Sequence, residues 1–232
     1  MNILGIETAT RTGGVAVVSE EGVLAEYTLN IEVAHAERLM STVERVLKDT
    51  GLTLSAIDGF GVSIGPGSFT GLRIGLATVK GLAFTTGKPV AAVPTLKALA
   101  WNTPHARYPV CPLLDAKKKE VYAALYRQEG RNVVQELPET VLPLAELAAR
   151  ITGEVLFTGE GARLFGGEIE RLFGARAHRA PLAATVPSAA SVGELALLML
   201  QNGESDDPDA LSPLYIRRPE AEVAWEKRQR SR

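Results

Sequence analysis

The sequence predicts an α/β protein built from two similar halves, and three observations support this prediction. Short apolar runs of strand length alternate with segments of helical periodicity along the chain. The pattern of strands and turns at the N-terminus returns about 108 residues later in the same order. The chain has 232 residues, 46% of them hydrophobic and 22% charged, which is enough for one large domain or two of ordinary size.

The composition excludes several classes of protein. The formal net charge of −2 disfavours a stand-alone nucleic-acid-binding protein, because such proteins are normally basic. The single cysteine, Cys111, cannot form an intrachain disulfide or a cysteine metal cluster, and it fits a reducing compartment. Neither a signal peptide nor an apolar run long enough to cross a membrane is visible. We therefore expect a cytoplasmic globular protein.

The first half is predicted to contain three strands of an antiparallel meander, a helix, a strand, a second helix, a strand and a short helix. The assignment follows from apolar residues that alternate along strands and recur every three or four positions along helices. This order is typical of a ribonuclease-H-like unit. The predicted strands are residues 2–6, 15–18, 23–29, 60–64 and 89–93, and the predicted helices are residues 35–49, 68–86 and 95–101.

The most distinctive stretch of this half is a strand, a glycine turn and a helix. The apolar run 60–64 is broken by Gly-Pro-Gly at residues 65–67, and Ser68 is suited to cap the following helix. Gly87 and Pro89 then end that helix. The arrangement resembles a phosphate-binding loop, but the P-loop lysine, the dinucleotide-binding spacing and the ribose-binding acid are all missing. Neither of these nucleotide folds is therefore predicted.

The helix of this stretch carries small residues along one side. They begin at Gly71 and Gly75 and continue to Gly81, and such a strip lets another backbone approach closely. Because the helix is apolar on more than one side, it is either a central core helix or one that packs on its own sheet and also on another protein. Arg73 and Lys80 share one face and suggest an acidic partner or an anion, with a solvent-exposed role as the alternative.

The second half repeats the pattern of the first. An acidic residue follows the first strand of each half, namely Glu7 and Asp115. Two ribonuclease-H-like halves with an acid at this place describe the actin-like (ASKHA) ATPase fold. We predict a first subdomain at residues 1–103 that carries the partner-binding helices, a second at 104–218 and a mobile tail at 219–232. Predicted strands of the second half are residues 110–114, 121–126, 133–136, 155–158 and 211–217, and predicted helices are residues 144–151, 162–173 and 188–201.

Residues typical of catalysis are scarce. The three histidines are scattered and form no metal-binding pair, and no serine lies in a nucleophile elbow. Acids at the strand ends could flank a metal–phosphate group across a cleft, and a glycine turn after residue 158 has the form of an adenosine-holding turn, although Glu160 brings a negative charge there. These features define a candidate vestigial nucleotide site with five residues: Glu7, Thr8, Asp115, Gly159 and Gly161.

Four sequence blocks together carry a resemblance to a known family. They are LGIETAT at residues 4–10, GPGSFTGLRIG at 65–75, DAK and EVY within 115–122, and PLYIR at 213–217. In these blocks, and over essentially its whole length, the chain resembles the TsaB (YeaZ) family. The resemblance implies an actin-like scaffold without catalytic activity. It would bind and activate a TsaD-type catalytic paralogue, which transfers a threonylcarbamoyl group to N6 of adenosine 37 in tRNAs that read ANN codons.

The same resemblance implies the partners and the missing cofactor. The catalytic paralogue carries a histidine metal motif at positions that correspond to Thr95 and Leu99 here, so we expect no metal, no cofactor and no enzyme activity. The expected partners are the TsaD-type paralogue, a TsaE-type ATPase in the assembled complex and, through that complex, tRNA. In the absence of the paralogue a homodimer is expected.

The expected partner surface lies on the two long helices of the first half. The sequence leaves open which apolar residues of these helices face the partner rather than the core, and it also leaves open an enzyme of another class. That alternative is an actin-like nucleotide-binding phosphotransferase acting through Glu7 and Asp115, or a metalloprotease-like enzyme. The predicted partner interface consists of His35, Leu39, Val43, Val46, Ser68, Leu72, Arg73, Leu76, Val79 and Lys80.

Overall fold

The computed structural model describes residues 1–30, 35–130 and 132–217, and these form two five-stranded mixed sheets with helices packed against them. In the first half, the central strand β1 is antiparallel to β2 and parallel to β4. The strand order is β3-β2-β1-β4-β5. The elements of this half are β1 (Asn2–Glu7), β2 (Thr12–Ser19), β3 (Gly22–Asn30), α1 (His35–Thr50), β4 (Gly59–Gly65), α2 (Phe69–Thr86), β5 (Val90–Pro94) and α3 (Thr95–Trp101).

The second sheet repeats the first strand for strand. Its order is β10-β9-β6-β7-β8, and its central strand β6 is again antiparallel to the next strand and parallel to β9. This repetition confirms the predicted pair of ribonuclease-H-like halves. The elements are β6 (Val110–Asp115), β7 (Glu120–Glu129), β8 (Asn132–Pro143), α4 (Leu144–Arg150), β9 (Val155–Thr158), α5 (Glu160–Leu164), α6 (Gly166–Phe173), β10 (Ala177–Arg179) and α7 (Ala189–Gln201).

Helix α2 begins and ends where its terminal residues dictate. The hydroxyl of Ser68 accepts a hydrogen bond from the N–H of Gly71 at 3.2 Å, which satisfies one free donor of the first turn. Gly87 lies in the left-handed region with φ 67°, and its N–H donates to the carbonyl of Ala83 at 2.8 Å. The predicted cap and terminator of this helix are therefore confirmed.

The first sheet is covered on both faces. Successive residues of β1 point to opposite sides, so Leu4 and Ile6 pack with α1 and α2, whereas Ile3 packs with α7. A β-carbon on Gly5 would overlap the backbone of α7, so glycine permits this close approach. Helix α7 follows the second sheet in sequence but packs on the first. A boundary near residue 103 stays a prediction.

Several predicted elements differ from the observed ones. The predicted helix 162–173 is divided into α5 and α6 at Phe165, and the short strand β10 was not predicted. The predicted last strand 211–217 has no regular secondary structure, although the N–H of Leu214 donates to the carbonyl of Ile64 at 2.7 Å. The predicted tail 219–232 lies outside the described residues. Across the described part of the chain, no helix is both long enough and apolar enough to span a membrane.

Candidate functional site

A cleft of about 900 Å³ lies where the two halves meet. One wall is formed by the loop after β1 and the turn before α2, and the other by the β6–β7 hairpin and the start of α5. Its charged lining is mixed, because cationic and anionic side chains both face it. The charged residues that line the cleft are Arg11, Asp115, Lys117, Glu160 and Arg163.

Glu7 lies beneath this cleft rather than in it. Its side chain is fully buried at the end of β1, and its Oε1 accepts a hydrogen bond from the N–H of Ala9 at 2.5 Å. Its Oε2 has no hydrogen-bond partner among the described residues. Burial raises the pKa of Glu7 to about 7, although hydrogen bonds from Ala9 and Ser63 oppose the shift. Glu7 therefore does not line the cleft, and its role in a nucleotide site stays a prediction.

Asp115 does line the cleft, but its carboxylate is already hydrogen-bonded to Lys117. The backbone N–H and the Nζ of Lys117 each donate to the carboxylate at 2.8 Å. Partial burial alone would raise the pKa of Asp115, but the hydrogen bonds and charge of Lys117 outweigh it, and the pKa is lowered. Glu160 adds a second carboxylate to the same cleft. Because carboxylates repel phosphate groups, these two side chains suit a nucleotide polyphosphate poorly.

The remaining residues of the candidate nucleotide site serve packing. A β-carbon on Gly159 or Gly161 would overlap Leu113 of β6, so these glycines let α5 lie directly against the second sheet. Thr8 is fully buried, and its Oγ1 has no partner among the described residues. Of the five predicted residues, Asp115 lines the cleft. Glu7, Thr8, Gly159 and Gly161 are not among the residues that line it.

Thr95 and Leu99, the two positions expected to correspond to metal ligands of a paralogue, also serve packing. The hydroxyl of Thr95 is buried and accepts a hydrogen bond from the N–H of Gly65 at 3.1 Å. Leu99 is fully buried in a cluster with Val110 and Tyr126 of the second half. Within residues 1–30, 35–130 and 132–217, no group of three or more His, Cys, Asp or Glu is arranged to hold a metal ion.

The glycine strip of α2 faces the chain's own fold. A β-carbon on Gly71 would overlap the backbone of Thr8, and one on Gly75 would overlap its side chain. The strip therefore seats the loop after β1, and the interpretation that it receives a partner helix is wrong for these two glycines. Gly81 is different, because a β-carbon there would meet open space.

The six apolar residues of the predicted partner interface are buried in the core of the first half. Each is between 0% and 5% exposed, and all pack with Leu4, Ile6, Phe60 and Val62 of the sheet. Because their side chains already face the sheet, they offer no surface to a partner in this conformation. The residues concerned are Leu39, Val43, Val46, Leu72, Leu76 and Val79.

The polar residues of the predicted interface have different positions. Ser68 is exposed and caps α2, and Arg73 is exposed one turn further along. Lys80 is half-buried, and its Nζ donates to the carbonyl of Asp209 at 3.3 Å. His35 is the first residue of α1, and its side chain lies outside the described part of the structure.

The exposed face of α2 carries Ala77 and Phe84, which the sequence did not single out, beside Gly81 of the small-residue strip. Phe84 is 89% exposed near the end of the helix, and Gly81 and Ala77 lie along the same side one and two turns before it. On the adjacent helix α1, Met40 is 45% exposed. The spacing of these residues was visible, but a helix that is apolar all round gives no sequence signal for which side is free.

The duplicated sheets and the cleft between them define an actin-like (ASKHA) fold. The ROK hexokinase of Thermus thermophilus shares it, with a TM-score of 0.52 and 15% identity over 88% of this chain and 100% of that structure.

Closer comparisons define the family. The family model described as TsaD: tRNA N6-adenosine threonylcarbamoyltransferase matches residues 22–225. The tRNA threonylcarbamoyladenosine biosynthesis protein TsaB of Bacillus subtilis is 33% identical over 97% of this chain and 98% of its own length. The structure of YeaZ from Pseudomonas aeruginosa has a TM-score of 0.78 and 30% identity, covering 92% of this chain and 99% of that one. The chain belongs to the TsaB (YeaZ) family.

Proposed function

We propose that this chain is a non-catalytic subunit in the synthesis of threonylcarbamoyladenosine in tRNA, and that it binds and activates a TsaD-type catalytic paralogue. The name of its Bacillus subtilis relative and the match to the TsaD family model support the pathway. The packing roles of Thr95 and Leu99 support a subunit without the metal chemistry of the paralogue.

One observation carries the proposed binding surface, namely the exposed apolar side of α2. Phe84 leaves nearly its whole ring in water, and burying such a side chain stabilises a complex by about 2–3 kcal/mol. Gly81 costs the helix about 1 kcal/mol relative to alanine, and no neighbouring atom of the described structure requires glycine there. A second helix that approaches closely over Gly81 and covers Phe84 accounts for both features.

The same proposal includes a homodimer and further partners. In the absence of the paralogue, a second copy of the chain covers α1 and α2 and forms a homodimer. A TsaE-type ATPase and tRNA join the assembled cytoplasmic complex, and tRNA contacts the complex rather than this chain by itself.

Isothermal titration calorimetry with the purified paralogue tests the surface. Phe84→Lys places a cation at a helix C-terminus, which suits the helix dipole, so the fold is expected to persist. The variant should bind the paralogue about thirtyfold more weakly or worse. The matched control is Leu182→Lys, since Leu182 is 76% exposed in the second half and should leave binding unchanged. Equal affinities of the wild type and Phe84→Lys would remove this surface from the proposal.

A nucleotide-dependent phosphotransferase is the competing function, and the cleft with Asp115 is the observation that favours it. We expect a negligible rate of phosphate release from Mg-ATP by the purified chain, because Lys117 and Glu160 leave the cleft poorly suited to a polyphosphate. Brisk turnover that Asp115→Asn abolishes would establish the competing function instead.

A further inference from the structure

Three exposed side chains form a compact cluster at the N-terminal end of α2. Phe69 and Arg73 lie one turn apart, and the Cζ of Arg73 sits 3.9 Å from the centroid of the Phe69 ring. Tyr215 stacks on Phe69 with centroids 5.2 Å apart and an interplanar angle of 24°. The hydroxyl of Tyr215 accepts a hydrogen bond from the Nε of Arg73 at 3.1 Å. The Arg73 guanidinium therefore lies against the Phe69 ring, and its Nε is hydrogen-bonded to the Tyr215 hydroxyl.

The segment that carries Tyr215 is itself anchored on both sides. Before it, the N–H of Leu214 donates to the carbonyl of Ile64 in the first half at 2.7 Å. After it, Arg217 donates to the carbonyl of Ala116 at 2.6 Å and forms an ion pair with Glu120 in the second half. Because Leu214 and Arg217 are both anchored, the Tyr215 hydroxyl is held in position to contact Arg73.

The Nη groups of Arg73 remain available in the described structure, where the one hydrogen bond observed for its side chain uses Nε. Helix α2 contains no Asp or Glu that could neutralise this charge. A planar guanidinium whose Nη donors are available suits two parallel hydrogen bonds to a carboxylate. Its rotamers are already restricted by the two rings, so less conformational entropy is lost on binding.

We propose that Arg73 is an anchor for a carboxylate of the catalytic paralogue, and that Phe69 and Tyr215 are its positioning residues. This inference rests on the proposed function. Arg73 precedes Ala77 and Phe84 on the same helix, so it adds a polar contact at one end of the apolar surface. Arginine and aromatic side chains are also the residues that most often dominate binding energy at protein interfaces.

Titration calorimetry of the full chain with the purified paralogue tests the anchor. Arg73→Lys keeps the charge but loses the planar pair of donors and the ring stacking, and it should weaken binding about tenfold. Tyr215→Phe keeps the stacking and loses only the hydroxyl, so a loss of about threefold is expected. This second loss should vanish in the Arg73→Lys background, because the hydroxyl acts through the guanidinium. Arg127→Lys, at an exposed ion pair of the second half, is the matched control and should bind like the wild type.

Replacing each surface acid of the paralogue by its amide identifies the carboxylate. One replacement should weaken the wild type and have no further effect on Arg73→Lys. The inference is overturned if Arg73→Lys binds the paralogue within twofold of the wild type while Phe84→Lys binds weakly. In that case the proposed binding surface on α2 still stands. It is also overturned if Arg73→Lys keeps its affinity for the paralogue but weakens tRNA binding by the complex, since the ligand would then be a phosphate. If the wild type itself does not bind the paralogue, the proposed function fails as well.

Discussion

Replacing Glu7 by glutamine should remove a pH dependence from the stability of the fold. Burial raises the pKa of Glu7 from its ordinary value of 4.5 to about 7. Between these values the folded chain holds a proton that the unfolded chain has released. The free energy of unfolding therefore falls as the pH rises from 4.5 to 7, and above 7 the buried charge is fully destabilising.

The size of this effect follows from the shift. A difference of about 2.5 pKa units corresponds to about 3 kcal/mol, since each unit is worth about 1.4 kcal/mol. Glutamine cannot ionise, so the stability of Glu7→Gln relative to the wild type should grow by about 3 kcal/mol between pH 4.5 and pH 8. A constant offset from the unpaired amide of glutamine does not affect this change.

Urea denaturation at pH 4.5, 6 and 8, followed by circular dichroism, measures the effect. Glu129→Gln, at an exposed position of the β7–β8 hairpin, is the matched control for loss of a carboxylate. A stability difference between Glu7→Gln and the wild type that stays constant within about 1 kcal/mol would refute the reasoning. It would mean that the free Oε2 of Glu7 has a partner that stabilises its charge.

Two further predictions concern α2. Leu76 is 4% exposed and faces its own sheet, so Leu76→Asp should lower the free energy of unfolding by several kcal/mol. Circular dichroism should show loss of secondary structure. A folded variant would contradict the placement of Leu76 in the core. Gly75→Ala should destabilise the fold by about 1–3 kcal/mol, because the added β-carbon overlaps Thr8. Gly81→Ala should stabilise the fold by about 1 kcal/mol, because nothing lies near its β-carbon. Thermal unfolding measures both variants, and changes of the same sign would contradict this reasoning.

The sequence predicts local features of the fold well because their causes are local. The cap at Ser68 and the left-handed terminator at Gly87 depend on residues within one turn. The duplicated strand pattern was visible because apolar alternation is a local property of each strand. The break at Phe165 was missed, although the Gly166-Gly167 pair directly after it is a local signal for a helix end.

The site was harder to predict because its residues depend on contacts between distant segments. Gly71 and Gly75 have the spacing of a helix–helix contact, but the loop at Thr8, more than sixty positions earlier, occupies that space. Glu7 resembles a cleft carboxylate in sequence, but the fold buries it completely. Phe84 was missed because the core and free sides of α2 are both apolar.

Formation of threonylcarbamoyladenosine in a reconstituted reaction tests the central claim most directly. The TsaD-type paralogue is supplied with this chain as wild type, Phe84→Lys or Leu182→Lys, and the modified nucleoside is measured by mass spectrometry. The account predicts product with the wild type and Leu182→Lys, little product with Phe84→Lys, and none from the chain without the paralogue. Product from the chain without the paralogue, or full activity with Phe84→Lys, would contradict it.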